Sequence, residues 1–135
     1  MSPKDQVKII LADDHAMVRR GIKKILQEKP ELIVTDEASD GQELLEKLET
    51  VTPDLVIVDI SMPRMGGMEA AAQIKRLHPG VKILILTMHR DKEFLEKAME
   101  IGVDGYILKE KMDVDLHRAM EYIFAGKTYT SPLLR

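Results

Sequence analysis

The sequence contains no cysteine among its 135 residues. This absence excludes disulfide bonds, thiolate metal sites and cysteine nucleophiles. Lys and Arg number 20 against 23 Asp and Glu, so the net charge is -3 and the basic excess typical of nucleic-acid binders is missing. We therefore expect no DNA binding by this chain alone.

Long hydrophobic runs are also missing. No window approaches the roughly 20 apolar residues that a membrane span needs, and residues 1–5 are polar, without the apolar stretch of a signal peptide. We expect a cytoplasmic protein with no membrane contact. Hydrophobic residues at 44% and charged residues at 32% are typical of one globular domain with a real core.

Five short apolar runs alternate with segments whose apolar residues recur at helical spacing. Three runs are nearly continuous in Ile, Val and Leu, as is typical of strands buried on both faces of a parallel sheet. The second run is more polar and indicates an edge strand. The alternation predicts an α/β fold, a (βα)₅ doubly wound parallel sheet with helices on both faces. The predicted strands are Val7–Ala12, Leu32–Ala38, Leu55–Asp59, Val81–Thr87 and Gly105–Lys109.

The last predicted helix stops at Gly126, a typical residue after a helix C-terminus. We therefore predict one domain over residues 1–126. Residues 127–135 are mostly polar and contain a proline, so they are predicted to form a tail or the start of a linker.

Side chains suited to chemistry stand at the carboxyl ends of four predicted strands. Asp13 and Asp14 follow the first strand, Asp59 ends the third, Thr87 ends the fourth and Lys109 ends the fifth. In open α/β sheets this edge binds ligands where the strand order reverses. We expect these five side chains to lie close together.

The three acids need a cation among them, because crowded carboxylates repel one another. All are oxygen ligands and no cysteine is present, so the fitting metal is Mg²⁺, which keeps several of its waters. Lys109 adds a second cation and Thr87 a hydroxyl donor. Together these residues describe a cradle for a phosphoryl group beside a nucleophilic carboxylate. His15 is interpreted as a helix-start residue rather than a ligand.

Each of these residues also has an ordinary structural interpretation. Asp14 would serve as a helix N-cap, Asp59 as a turn acid, Thr87 as a strand residue, Lys109 as a surface charge and Tyr106 as a core aromatic. The functional hypothesis depends on their joint position at one edge of one sheet, which is an improbable placement by chance.

Competing sites on similar folds fail on specific residues. The sequence has no G-x-G-x-x-G dinucleotide motif and no G-x-x-x-x-G-K-[ST] nucleotide loop. A flavin-phosphate loop needs Ser, Thr and Gly where this chain has Asp13-Asp14. The D-x-D motif of haloacid-dehalogenase-type phosphatases is also lacking, because His15 follows the acid pair.

The chain resembles, over nearly its whole length, the receiver domains of two-component response regulators. The stretch from Asp59 to Gly67 is similar to the family's D-x-x-M-P-x-x-x-G loop, and the residues that match the rest of the family motif are Asp13, Asp14, Thr87 and Lys109. The resemblance implies a flavodoxin-like strand order 2-1-3-4-5. Asp-Asp-His near residue 14 and the segment 126–132 resemble the NarL/FixJ-type branch.

The resemblance implies that Asp59 takes a phosphoryl group from a sensor histidine kinase. Asp14, Asp59 and the backbone carbonyl of Ser61 would bind Mg²⁺ directly, and Asp13 would act through a metal-bound water.

It also implies a switch. Lys109 would pair with a phosphoryl oxygen, Thr87 would move toward the phosphoryl group, and Tyr106 would follow into the vacated space. Dimers in this branch often use the first and fifth helices, where Val114 and Phe124 are apolar, so a homodimer on phosphorylation is expected.

One departure from the family pattern is visible: Glu110 follows Lys109 where many receivers have a cis proline, so a cis bond has no support here. The branch implies a linker and a helix-turn-helix effector after this chain, which favours an excised receiver over a stand-alone one. Two other functions stay open, an Mg²⁺-dependent phosphohydrolase on the same scaffold and a degenerate receiver used only for interaction.

Overall fold

The computed structural model describes residues 6–135, and residues 1–5 of the predicted domain lie outside the described residues. Strands and helices alternate along the chain, as predicted. The elements are β1 (Val7–Ala12), α1 (Ala16–Leu26), β2 (Leu32–Ala38), α2 (Gly41–Leu48), β3 (Leu55–Asp59), α3 (Gly67–Leu77), β4 (Lys82–Thr87), α4 (Lys92–Ile101), β5 (Gly105–Leu108), α5 (Met112–Phe124) and β6 (Tyr129–Thr130). Short 3₁₀ turns cover Lys109–Lys111 and Pro132–Leu134.

The strands form one parallel sheet in the order β2-β1-β3-β4-β5-β6. This order confirms the predicted doubly wound fold and puts its reversal between β1 and β3. Two predicted boundaries shift slightly. β4 begins at Lys82 rather than Val81, and β5 ends at Leu108 because Lys109 already belongs to a 3₁₀ turn.

Helices cover both faces of the sheet, so the central strands are buried on both sides. On one face Ile10 and Val56 pack against α2, α3 and α4. On the other, Ile9 and Leu55 pack against α1 and α5. Neighbouring residues of a strand point to opposite faces, so both must be apolar. This explains the nearly continuous Ile, Val and Leu runs in the sequence.

Residues 127–135 depart from the expectation of a tail. Tyr129–Thr130 forms β6, which pairs with Gly105 and Tyr106 of β5. Tyr129 and Ser131 are completely buried. The segment is mostly polar, but it contains the large aromatic ring of Tyr129 and the hydroxyl of Ser131, whose hydrogen bonds are made inside the fold. Gly126 has a φ of 82°, which suits the chain reversal between α5 and β6.

The loop that follows β3 is tightly folded. A Cβ atom at Gly67 would overlap the Asp59 carbonyl oxygen, so α3 can start there only with glycine. Arg64 in this loop has a φ of 64°, a left-handed conformation that is unusual for a side chain of this size. No peptide bond between residues 6 and 135 is cis. Within the same range, no helix has the length and apolarity that crossing a membrane requires.

Candidate functional site

An acidic cluster lies at the carboxyl edge of the sheet, where β1 and β3 run side by side. Asp59 is the last residue of β3, and Asp13 and Asp14 directly follow β1. One ligand atom from each of these acids and from His15 lies within 4.8 Å of the others. Asp13 is 1% exposed and Asp59 is 3% exposed, whereas Asp14 is open to solvent. This meeting of the three acids agrees with their predicted positions at the ends of the first and third strands.

Lys109 reaches into the cluster from the far side of β4. Its Nζ lies 2.8 Å from Asp13 Oδ2 and 3.2 Å from Asp59 Oδ2. A single ammonium thus bridges the two most buried acids of the cluster.

The charges in the cluster do not balance. Burial raises the pKa of Asp59, and the nearby Asp13 carboxylate acts in the same direction, against the opposing effect of Lys109. Burial works to lower the pKa of Lys109, but its contacts with Asp13 and Asp59 outweigh that effect and the pKa is raised. Lys109 is therefore charged, and one ammonium faces three carboxylates.

The backbone around Asp13 is held by its neighbours. The His15 N–H donates to Asp13 Oδ1 at 2.8 Å, and Arg19 donates from Nη1 to the Asp13 carbonyl oxygen. Arg19 Nε in turn donates to Glu37 Oε1 of β2 at 2.8 Å. These bonds tie the β1–α1 loop to both α1 and β2. They therefore hold the backbone of Asp13 and Asp14 in place.

His15 is the residue before α1, which confirms the helix-start part of its interpretation, whereas its exclusion as a ligand stays a prediction. The alternative of Asp14 as the N-cap is therefore wrong, and its carboxylate faces the cluster instead. The His15 ring also approaches the acids, with Nδ1 3.0 Å from Asp14 Oδ1. Sequence spacing gave no signal for this contact, because a helix start leaves the ring direction undetermined.

Ser61 lies two residues after Asp59, at the start of the tight loop. Its backbone amide favours the ionised Asp59 carboxylate. The loop is anchored further along by Arg64, whose Nε and Nη2 lie 3.0 Å and 2.9 Å from Asp40 Oδ2. The Gly41 N–H also donates to the Met65 carbonyl oxygen at 2.9 Å. The loop that carries Ser61 is thus fastened to the start of α2.

The model of the response regulator receiver domain family matches residues 9–121 of this chain. The chain is a response regulator receiver domain. The oxygen regulatory protein NreC of Staphylococcus carnosus is 42% identical over 127 residues, which are 93% of this chain and 58% of NreC. The nitrate/nitrite response regulator protein NarL of Escherichia coli K12 is 33% identical over 134 residues, 99% of this chain and 62% of NarL.

A solved structure of a LuxR-family two-component response regulator from Aurantimonas superposes on the receiver with a TM-score of 0.90 at 36% identity. That match covers 96% of this chain and 92% of the other. These similarities confirm the predicted branch. The receiver spans less than two thirds of NreC and NarL, at 58% and 62% of their lengths.

Two predicted switch residues complete the receiver's site region. Thr87, the last residue of β4, is completely buried, and its Oγ1 accepts the His89 N–H at 2.9 Å. Thr87 pairs with Leu108 of β5, so in the sheet it lies beside the residue that precedes Lys109. Tyr106 of β5 is also completely buried, which raises the pKa of its phenol, and its hydroxyl makes no hydrogen bond within residues 6–135. Its place matches the interpretation as a core aromatic, and its role as a switch stays a prediction.

Proposed function

We propose that Asp59 of this receiver accepts a phosphoryl group from the phosphohistidine of a sensor kinase, and that the phosphorylated form controls an effector. The observation that carries this proposal is the position of Asp59. Its carboxylate lies at the ligand-binding edge of the sheet, 3.2 Å from the Lys109 ammonium and beside two further carboxylates. A buried acid in this setting is a nucleophile with a cation next to it.

The donor set of the cluster fits Mg²⁺. Its carboxylate oxygens are hard ligands, and one ligand atom from each acid lies within 4.8 Å of the others. Asp14, Asp59 and the Ser61 carbonyl oxygen would bind the ion directly, with Asp13 acting through a water. A bound Mg²⁺ would neutralise negative charge on the phosphoryl oxygens.

In the transfer step, an oxygen of Asp59 forms a P–O bond as the P–N bond of the donor breaks. The electron pair of the broken bond returns to the donor's histidine nitrogen. Lys109 donates to a phosphoryl oxygen, and the Thr87 hydroxyl turns its proton toward another. Phosphorylation then stabilises the arrangement in which Thr87 and Lys109 contact the phosphoryl group, because a ligand shifts an equilibrium by its differential affinity. Tyr106, which is completely buried, then follows into the space that Thr87 leaves.

The chemistry we propose is limited to the receiver's own aspartyl phosphate, which it forms and hydrolyses. This limited chemistry agrees with the receiver family, whose members act as regulators rather than as enzymes with external substrates. The receiver is about 60% as long as NreC and NarL. We propose that the full-length protein also carries an effector domain of the helix-turn-helix type, and that DNA binding belongs to that domain.

Activation is proposed to promote association of two receivers. Val114 is 56% exposed and Phe124 is 43% exposed on α5, although both are apolar. Burying them against a second copy would remove apolar surface from water. Sedimentation of the beryllofluoride-bound form should show tighter association than the apo form. Activated Thr87→Ala should lose that gain, and identical association of all three would contradict the coupling.

The experiment for the phosphoacceptor uses intact-protein mass spectrometry after incubation with acetyl phosphate and Mg²⁺. The wild type should gain the mass of one phosphoryl group, and Asp59→Asn should gain none. Asp113→Asn is the matched control, because Asp113 is exposed in the first turn of α5. A mass gain that persists in Asp59→Asn would remove Asp59 from the role.

A further inference from the structure

A second polar cluster is buried beside the end of β5, in contact with Leu108, the residue before Lys109. It consists of Asp115, Tyr129 and Ser131, here termed the C-terminal clasp. The Tyr129 hydroxyl donates to Asp115 Oδ1 at 2.8 Å, and the Ser131 hydroxyl donates to Asp115 Oδ2 at 2.9 Å. Asp115 is 3% exposed, and Tyr129 and Ser131 are completely buried. None of these residues belongs to the proposed phosphoryl-transfer site.

The clasp replaces a missing stretch of sheet. β6 pairs with Gly105 and Tyr106 and ends at Thr130, so it does not reach the last residue of β5. The Leu108 N–H would be left buried without a partner, at a cost of roughly 1–3 kcal/mol. Instead it donates to Ser131 Oγ at 3.1 Å. A side chain thus continues the ladder where the strand stops.

Asp115 determines the direction in which the Ser131 hydroxyl acts. Because the Ser131 proton is donated to Asp115, the oxygen's lone pairs are turned toward the Leu108 N–H. Asp115 lies in the first turn of α5, where the helix dipole favours a negative charge. The Ser131 N–H also donates to the Tyr106 carbonyl oxygen at 3.1 Å, which fixes Ser131 against β5 twice.

Lys109 follows Leu108 directly, so the end of β5 sets where the lysine side chain starts. From that point its ammonium reaches Asp13 at 2.8 Å and Asp59 at 3.2 Å. Misplacing a reacting group by about 1 Å costs as much as roughly 100-fold in rate. The end of β5 therefore needs a fixed position, and the clasp supplies it.

We infer that Ser131, oriented by Asp115, is a positioning residue for Lys109 in phosphoryl transfer. This inference rests on the proposed phosphorylation of Asp59. The segment after α5 would thus take part in the chemistry of the site, although it would contact neither the phosphoryl group nor the three acids Asp13, Asp14 and Asp59.

The test compares Ser131→Ala with Tyr129→Phe. Each variant removes one hydroxyl that donates to Asp115, but only Ser131→Ala leaves the Leu108 N–H unpartnered. The rate of phosphorylation by acetyl phosphate at saturating Mg²⁺ should fall about tenfold in Ser131→Ala and stay within about twofold of wild type in Tyr129→Phe. The Mg²⁺ affinity should be unchanged in both, because the acid cluster is intact.

Thermal unfolding separates positioning from a merely structural role. If both variants slow phosphorylation in proportion to their lost stability, or if both react like wild type, the inference is overturned. If Ser131→Ala does not fold, Ser131→Cys is measured instead. It nearly keeps the side-chain shape but offers the Leu108 N–H only a weak sulfur acceptor, so it should also slow the reaction, whereas a wild-type rate would overturn the inference. A wild type that takes no phosphate would instead refute the proposed function.

Discussion

The Lys109 ammonium is held between two buried carboxylates, 2.8 Å from Asp13 and 3.2 Å from Asp59. Within residues 6–135, no other lysine or arginine pairs with either carboxylate. One cation thus offsets the repulsion between the acids, and it is the same cation that we propose for the phosphoryl group. A bound metal ion would share this task.

Replacing Lys109 with Ala should destabilise the metal-free receiver by roughly 3 kcal/mol, because two buried acids lose their partner. Mg²⁺ should then raise the melting temperature more in the variant than in wild type, since the ion meets a more negative site. Thermal denaturation with and without Mg²⁺ measures both effects. Lys111→Ala, which changes an exposed lysine, is the control. Equal Mg²⁺-induced shifts in Lys109→Ala and wild type would refute this charge-sharing account.

Replacing Asp14 with Ala should weaken Mg²⁺ binding at least about tenfold, because the proposed direct ligand is lost. The metal-free protein should keep its stability or gain slightly, since like charges repel less. Titration followed by NMR gives the affinity, and chemical denaturation gives the stability. Asp113→Asn should change neither. If Asp14→Ala bound Mg²⁺ as tightly as wild type, Asp14 would be excluded as a ligand.

Glu37 predicts a specific pH dependence of stability. It accepts hydrogen bonds from Lys23 at 2.6 Å and Arg19 at 2.8 Å, and the bond from Lys23 lowers its pKa against the opposing effect of burial. A carboxyl whose pKa is lowered on folding stabilises the protein above its unfolded-state pKa. That contribution disappears as the pH falls through the folded-state pKa.

Glu37→Gln should therefore be about 1 kcal/mol less stable than wild type at neutral pH. The difference should vanish in acid, below the ordinary pKa range of glutamate. Urea denaturation of both proteins across this range measures it, with Glu121→Gln on the exposed face of α5 as the control. If the difference in unfolding free energy between Glu37→Gln and wild type stayed constant with pH, the charge of Glu37 would not be its cause.

The left-handed backbone of Arg64, with φ of 64°, predicts an unusual order of stability. Arg64→Ala loses the ion pair with Asp40 and keeps the unfavourable conformation. Arg64→Gly loses the same ion pair but adopts that conformation readily. We expect the Gly variant to be more stable than the Ala variant by roughly 1 kcal/mol. Denaturant unfolding of the pair decides this, and the reverse order would contradict the backbone explanation.

The sequence predicted the parts of the site that depend on strand ends. Apolar runs located β1, β3 and β5, and the rule that parallel strands end at one edge brought Asp13, Asp59 and Lys109 together. The resemblance to receivers gave these residues their roles.

Contacts set by single side chains escaped prediction. β6 has two residues, too few for any periodicity, so the polar segment around Tyr129 and Ser131 was interpreted as a tail. The start of α1 differs by one residue from the N-cap alternative, and that shift decides whether Asp14 caps a helix or faces the acidic cluster. Arg64 carries no sequence signal for a positive φ, because the conformation is imposed by Asp40 and the tight loop.

The most direct test of the central proposal locates the phosphoryl group in the wild-type receiver. After phosphorylation by acetyl phosphate with Mg²⁺, borohydride reduces an aspartyl phosphate to homoserine, and peptide mass mapping then identifies the converted residue. We predict homoserine at position 59 and no conversion at Asp13 or Asp14. Conversion at another acid, with Asp59 unchanged, would contradict the account.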